Sequence, residues 1–139
     1  MNKFLYEEIK VGQTEAFEVE ITDDKQDMFR RITQDINPLH SDSSYAQKKG
    51  FENKVVFGML TASFFSTLAG VYLPGENSLV HSVETKFLNP VYIGDHLIIS
   101  GTVAEKNDVF KVIEIKAVIK KQSGEKVAKA KMQVGVIDD

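Results

Sequence analysis

The feature that most constrains the fold is the stretch from Val55 to Leu73, which contains no charged residue. It approaches the length of a membrane-spanning helix, about 20 apolar residues. However, it is rich in Thr, Ser and Gly, and neither a Lys/Arg cluster nor an aromatic belt flanks it. A helix that is apolar all round in a soluble chain belongs at the centre of the fold. We therefore expect a buried helix over Gly58–Leu73, stopped by Pro74-Gly75.

The segments around this helix predict a sheet. Alternating or β-rich patterns indicate strands at Thr14–Ile21, Ser78–Phe87, His96–Val103, Val109–Lys120 and Ala128–Val136. Each strand is expected to have one apolar and one polar face, as in antiparallel sheets. A central apolar helix and such a sheet predict an α+β domain in which the sheet curves around the helix. A length of 139 residues suits one domain, residues 1–139.

Two shorter helices are expected between the first strand and the central helix. Thr22 stands at an N-cap position before DDKQDMFRRIT, and Phe29 and Ile32 supply an apolar face. This helix should end before Asn37-Pro38, because the residue before a proline resists the helical conformation. The second helix is expected within Ser41–Gly50, capped by serines at its start.

Composition excludes several functions. The formal net charge of -3, with both signs interspersed, argues against a nucleic-acid partner. The chain has no cysteine and three scattered histidines, so we expect no disulfide, metal site or thiol chemistry. We also expect no cofactor and no membrane partner. The start MNKFLYEEIK lacks the apolar core of a secretory signal, which favours a cytoplasmic location.

The densest cluster of reactive side chains is the hexapeptide from Asp35 to His40, DINPLH. Asn37-Pro38 bends the backbone, which could turn Asp35 and His40 toward a common point. A carboxylate and an imidazole there can hold a water molecule and exchange its protons. The alternative is that Asp and Asn only form a turn and that the histidine lies on the surface.

The second candidate feature is Gly58-Met59-Leu60 at the start of the central helix. A helix start presents free N–H groups and a partial positive charge, which would polarise a thioester carbonyl. Ser66 follows two turns later on a similar side and could bond a substrate. The alternative is that Gly58 is an ordinary helix start and that the Ser66 hydroxyl bonds back to its own helix.

The sequence resembles the MaoC-like (R)-specific enoyl-CoA hydratases, which have the hot-dog fold. The resemblance rests on DINPLHSDSSYA from Asp35, GMLTASFFS from Gly58, LPG from Leu73 and KFLNPVYIGD from Lys86. It implies that Asp35 and His40 activate a water, that Asn37 braces their loop, and that Gly58 donates its N–H to the thioester carbonyl. Ser66 matches a serine near the active site of the family.

Two residues depart from the family pattern. Gln34 stands where the family usually has glycine, and Phe57 stands where many members have histidine. Gln34 removes backbone freedom beside Asp35. Phe57 is expected to remove a polar group near the mouth of the pocket. Both departures put the substrate range in question.

The resemblance implies reversible hydration of a trans-2-enoyl-CoA, or of the acyl-carrier-protein thioester, to the (R)-3-hydroxyacyl thioester. It also implies a homodimer or a dimer of dimers, with the acyl tunnel at the subunit interface. Two alternatives remain open. One is a hot-dog thioesterase, which commonly has an acidic residue on the central helix, whereas Val55 to Gly75 contains no Asp or Glu. The other is a non-catalytic acyl-thioester-binding subunit.

Overall fold

The computed structural model describes every residue from Met1 to Asp139. Three α-helices and five strands form, and we number them in chain order: β1 Thr14–Glu20, α1 Asp23–Thr33, α2 Ser43–Lys48, α3 Gly58–Thr67, β2 Ser78–Phe87, β3 His96–Asn107, β4 Val112–Lys121 and β5 Lys126–Val136. Single 3₁₀ turns occur at Tyr6–Glu8 and Pro38–His40. The class is α+β, as the sequence predicts.

The strands form one antiparallel sheet in the order β1-β3-β4-β5-β2. The sheet curves around α3, which is the hot-dog arrangement expected from the sequence. Strands β3, β4 and β5 alternate buried and less buried residues, so their apolar faces form the core.

The central helix is pressed closely against the middle of the sheet. Phe65 and Leu68 are almost completely buried. A side-chain carbon added at Gly101 of β3 would lie 2.7 Å from Cδ2 of Leu68 and 2.9 Å from Cγ2 of Ile115. Helix and sheet can approach this closely only because residue 101 has no side chain. No helix of the chain has both the length and the hydropathy needed to cross a membrane.

The central helix does not run as one regular helix to Leu73. It is α-helical to Thr67 and then continues as a π-helical turn, Leu68–Tyr72, before Pro74. At the start of the chain's first helix, the Thr22 hydroxyl accepts a hydrogen bond from the Lys25 N–H at 3.2 Å. This confirms Thr22 as the N-cap.

Three further expectations are wrong in detail. Ile32 does not belong to a buried face of α1, because its side chain is 80% exposed. Helix α2 is capped by Asp42, whose carboxylate accepts from the Tyr45 N–H, rather than by a serine. Strand β4 begins at Val112 and not at Val109, because Asn107 Oδ1 accepts from the N–H groups of residues 109 and 110 and holds them in a turn.

Strand β2 differs from the pattern expected for it. It is an edge strand that pairs only with β5, and most of its residues are exposed on both faces. The exposed residues include Leu79, Val83 and Phe87. A long apolar edge strand has unpaired backbone N–H and C=O groups that can pair with a strand of another chain.

Candidate active site

The loop that follows α1 is shaped by its own polar side chains. Asp35 Oδ1 accepts a hydrogen bond from the Asn37 N–H at 3.0 Å. Asn37 Oδ1 in turn accepts from the Leu39 N–H at 3.0 Å and caps the 3₁₀ turn that ends at His40. These short-range bonds replace the helical hydrogen bonds that Pro38 prevents. Asn37 therefore braces the backbone between Asp35 and His40.

His40 is fixed in one orientation by two contacts. Its Nδ1–H donates to the backbone carbonyl of Val55 at 2.8 Å, since a carbonyl can only accept. Its ring stacks on Phe57, with the ring centroids 4.1 Å apart. Nε2 is therefore the ring nitrogen left to accept or donate a proton elsewhere. This is the arrangement required of a histidine that handles the proton of a bound molecule.

Gln26 of α1 links the segments of this arrangement, and it is not among the site residues predicted from the sequence. Its side chain is 3% exposed. The amide Nε2 donates to the carbonyls of His40 at 3.1 Å and Val55 at 3.2 Å, and Oε1 accepts from the Phe57 N–H at 3.2 Å. One amide thus ties α1 to both segments that position the imidazole. A polar residue on the buried side of α1 was the only available signal in the sequence.

The first residues of α3 complete a cavity with His40. The Leu60 and Thr61 N–H groups donate to the Phe57 carbonyl, whereas those of Gly58 and Met59 have no acceptor in the chain. A side-chain carbon at Gly58 would lie 3.1 Å from the ring of Phe87, so a larger residue would press on that ring. Gly58 and His40 line one cavity of about 310 Å³, the His40 cavity.

Met59 and Ser66 lie on another side of α3. They line a second space of about 620 Å³ between α3 and strand β2, which we name the Ser66 cavity. Phe87 lines both cavities. Leu60 is 8% exposed and faces α1, in a third space that neither His40 nor Ser66 reaches.

Asp35 is the candidate residue that the single chain leaves apart. Its side chain is exposed, and it lines neither the His40 cavity nor the Ser66 cavity. It forms no hydrogen bond or ion pair with His40, and its carboxylate is bonded to the Asn37 N–H instead. The expected meeting of Asp35 and His40 therefore stays a prediction. No three His, Asp or Glu side chains converge in a way that could hold a metal ion.

The two departures from the family pattern have different structural meanings. Gln34 ends α1 in the left-handed conformation, with φ of 58°, and its N–H donates to the Arg30 carbonyl at 2.7 Å. Glycine adopts that conformation without strain, which explains the family preference. Phe57 does not lie at a pocket mouth as expected: it is 3% exposed and packs between His40 and Phe29.

Comparison with known proteins shows the family and the fold. Residues 7–125 match the family model described as the MaoC like domain. An (R)-specific enoyl-CoA hydratase of Rhodospirillum rubrum is 34% identical over 108 residues, which are 75% of each chain. The unliganded R-hydratase PhaJ1 from Pseudomonas aeruginosa superimposes with a TM-score of 0.91 at 25% identity, over 99% of this chain and 88% of that chain.

A second solved structure gives the same result. The (R)-hydratase from A. caviae involved in PHA biosynthesis superimposes with a TM-score of 0.87 at 29% identity. The superposition covers 92% of this chain and 97% of that chain. The fold and the matched family model agree over most of the sequence. The chain therefore belongs to the MaoC-like family of hydratases and dehydratases.

Proposed function

We propose that this chain reversibly adds water to the double bond of a trans-2-enoyl thioester and forms the (R)-3-hydroxyacyl thioester. One observation carries the proposal: His40, whose imidazole is immobilised, and Gly58, whose N–H is unpaired, line the same cavity. A group that moves protons and a group that stabilises negative charge are the two requirements of this reaction. The named activities of the relatives support the same assignment.

The proposed chemistry begins with a water held between His40 and Asp35. His40 Nε2 takes one proton as the water oxygen bonds to C3 of the enoyl chain, and Asp35 accepts a hydrogen bond from the remaining hydrogen. The π electrons move to C2 and the thioester carbonyl. The proton then passes to C2, so that the elements of water are added and nothing else is consumed. In the reverse direction the same groups remove the hydroxyl as water.

Negative charge develops on the thioester oxygen during this step. The Gly58 N–H lies at the positive end of α3 and has no competing acceptor in the chain. A fixed donor at this position stabilises the enolate-like oxygen more than the neutral carbonyl. Stabilisation of this kind lowers the barrier without requiring a metal ion.

We assign the acyl chain to the space beside α3, with a second copy of the protein completing it. Met59 and Ser66 line this space, and the exposed edge strand β2 forms its other wall. Pairing of two β2 edges in a homodimer would satisfy the free backbone groups and cover Val83 and Phe87. A monomeric mass in solution at micromolar concentration would contradict the dimer. Coenzyme A or acyl carrier protein would carry the thioester.

The direct test is the loss of the conjugated-enoyl absorbance of crotonyl-CoA when the protein is added. Asp35→Asn and His40→Ala should each lower kcat by about 100-fold or more, because each removes a proton-handling group. His96→Ala is the matched control, because this exposed histidine at the start of β3 should leave the rate unchanged. Full activity of both Asp35→Asn and His40→Ala would contradict the assignment.

The same assay separates the alternatives. Release of free thiol from butyryl-CoA without hydration would indicate a thioesterase. Tight binding of crotonyl-CoA without turnover would indicate a non-catalytic acyl-thioester-binding subunit. Stereochemistry is tested in reverse: (R)-3-hydroxybutyryl-CoA should be dehydrated and its (S) enantiomer should not.

A further inference from the structure

Thr61 is the one hydroxyl near the His40 cavity whose hydrogen bonding is unsatisfied. It lies in the second turn of α3, its residue is 2% exposed, and its Oγ1 is buried without any hydrogen-bond partner in the protein. Buried polar atoms in proteins almost always have a partner, since an unpaired one destabilises the folded state. An orphaned hydroxyl beside a functional cavity therefore points to a partner outside the chain.

Two other helical hydroxyls bond to carbonyls of their own helix, which the buried Thr61 hydroxyl does not do. Thr33 Oγ1 donates to the Phe29 carbonyl at 3.0 Å, and Ser63 Oγ donates to the Leu60 carbonyl. Both bond back to their own helix, as serine and threonine usually do. The equivalent acceptor for Thr61 is the Phe57 carbonyl, which already accepts from two N–H groups. Thr61 Oγ1 makes no such bond.

The position of Thr61 places its hydroxyl toward the start of α3. Residues three apart share one face of a helix, and side chains tilt toward the helix N-terminus. Thr61 is three residues after Gly58, and both line the His40 cavity. Gly58, with its free N–H, and Thr61, with its unpaired hydroxyl, therefore lie on one face of α3 and line the same small cavity.

We propose that the Thr61 hydroxyl donates a hydrogen bond to the carbonyl oxygen of the bound thioester, together with the Gly58 N–H. The proposal rests on the proposed function for the identity of the ligand. A carbonyl oxygen has two lone pairs, so two donors can bind it at once. Each fixed donor stabilises the developing oxyanion more than the neutral carbonyl. Thr61 is thereby a catalytic residue that contacts the reacting group.

The test compares Thr61→Val, which keeps the shape and removes the hydroxyl, with Thr61→Ser, which keeps the hydroxyl. Thr61→Val should raise Tm by about 3 °C or more, because it removes a buried unpaired group. It should also lower kcat/KM for crotonyl-CoA about 10- to 100-fold, with most of the loss in kcat. Thr61→Ser should retain kcat/KM within about threefold, since it keeps the donor. If Thr61 had only a structural role, Thr61→Val would not combine a higher Tm with a lower kcat/KM.

The second measurement is the rise in Tm caused by butyryl-CoA, which has the thioester carbonyl but no double bond to hydrate. The rise should be large for the unmodified protein and Thr61→Ser and small for Thr61→Val. The same pattern in a protein that does not hydrate crotonyl-CoA would support the Thr61 contact and refute the proposed function. An active protein whose Thr61→Val variant has unchanged kcat/KM would overturn the Thr61 contact alone. No rise in any of the three proteins would overturn it as well.

Discussion

Replacement of the buried Gln26 by leucine should lower the stability of the fold substantially. The substitution keeps the approximate volume and removes all three hydrogen bonds of the buried amide. The Val55 carbonyl still has the His40 Nδ1–H as a partner. The Phe57 N–H and the His40 carbonyl lose the partners that Gln26 provides. At about 1 to 3 kcal/mol for each unsatisfied buried group, the free energy of unfolding should fall by about 3 kcal/mol.

This decrease in the free energy of unfolding is large enough to measure by thermal unfolding monitored by circular dichroism. A chain of 139 residues has an unfolding entropy that converts 3 kcal/mol into a fall in Tm of about 10 °C. Gln47→Leu is the control: this exposed glutamine makes one hydrogen bond, and its loss should shift Tm by about 2 °C at most. A free energy of unfolding for Gln26→Leu within about 1 kcal/mol of that of the unmodified protein would contradict this prediction.

Gln26→Glu tests which end of the amide matters. The carboxylate can still accept from the Phe57 N–H, but it cannot donate to the two carbonyls that the Nε2 group holds. It also brings a negative charge toward two carbonyl oxygens. The variant should be less stable at pH 7 than at pH 5, where partial protonation restores a donor. Equal stability at the two pH values would show that the two donor bonds contribute little.

Two further predictions concern backbone strain and pH. Gln34→Gly should raise the free energy of unfolding by about 0.5 to 1 kcal/mol in urea titrations, because it relieves the left-handed conformation, whereas Arg31→Gly in the last turn of α1 should lower it. Burial and a hydrogen bond to Asp108 raise the pKa of Tyr6 to about 12. The pKa of Tyr6 in the folded protein exceeds the unfolded value of about 10, so ionisation of this group should not change Tm below pH 10. Tm should fall as the pH rises from 10 toward 12. In the Tyr6→Phe variant, this decrease in Tm should be absent.

The central helix and the sheet could be predicted because their patterns depend on local physics. An uncharged segment must be buried, and alternating strands must share a dry face. Ile32 and strand β2 could not be predicted in the same way, because their exposure depends on which surfaces the rest of the chain covers. Both have apolar residues that the single chain leaves open to solvent. Sequence periodicity indicates an apolar face without saying whether this chain or another one covers it.

In the candidate site, too, some features follow from the local sequence and others depend on distant segments. The turn chemistry of Asn37 and the free N–H groups at Gly58 follow from local rules, and the structure has both. The hydrogen bonds of Gln26 and the orphaned Thr61 hydroxyl could not be foreseen, because each depends on segments far away in sequence. An isolated polar residue on an apolar face gives no indication of its partner. The role of such a residue can be inferred only when the structure shows which hydrogen-bond donors and acceptors surround it.

The distribution of the candidate residues bears on the oligomeric state. His40 and Gly58 share one cavity, Met59 and Ser66 share another, and the carboxylate of Asp35 lies exposed outside both. A single chain therefore holds the candidate residues without enclosing them. A hydration reaction benefits from a site that excludes bulk water. A second copy that covers the β2 edge would close the space for the acyl chain. Activity would then depend on formation of the dimer.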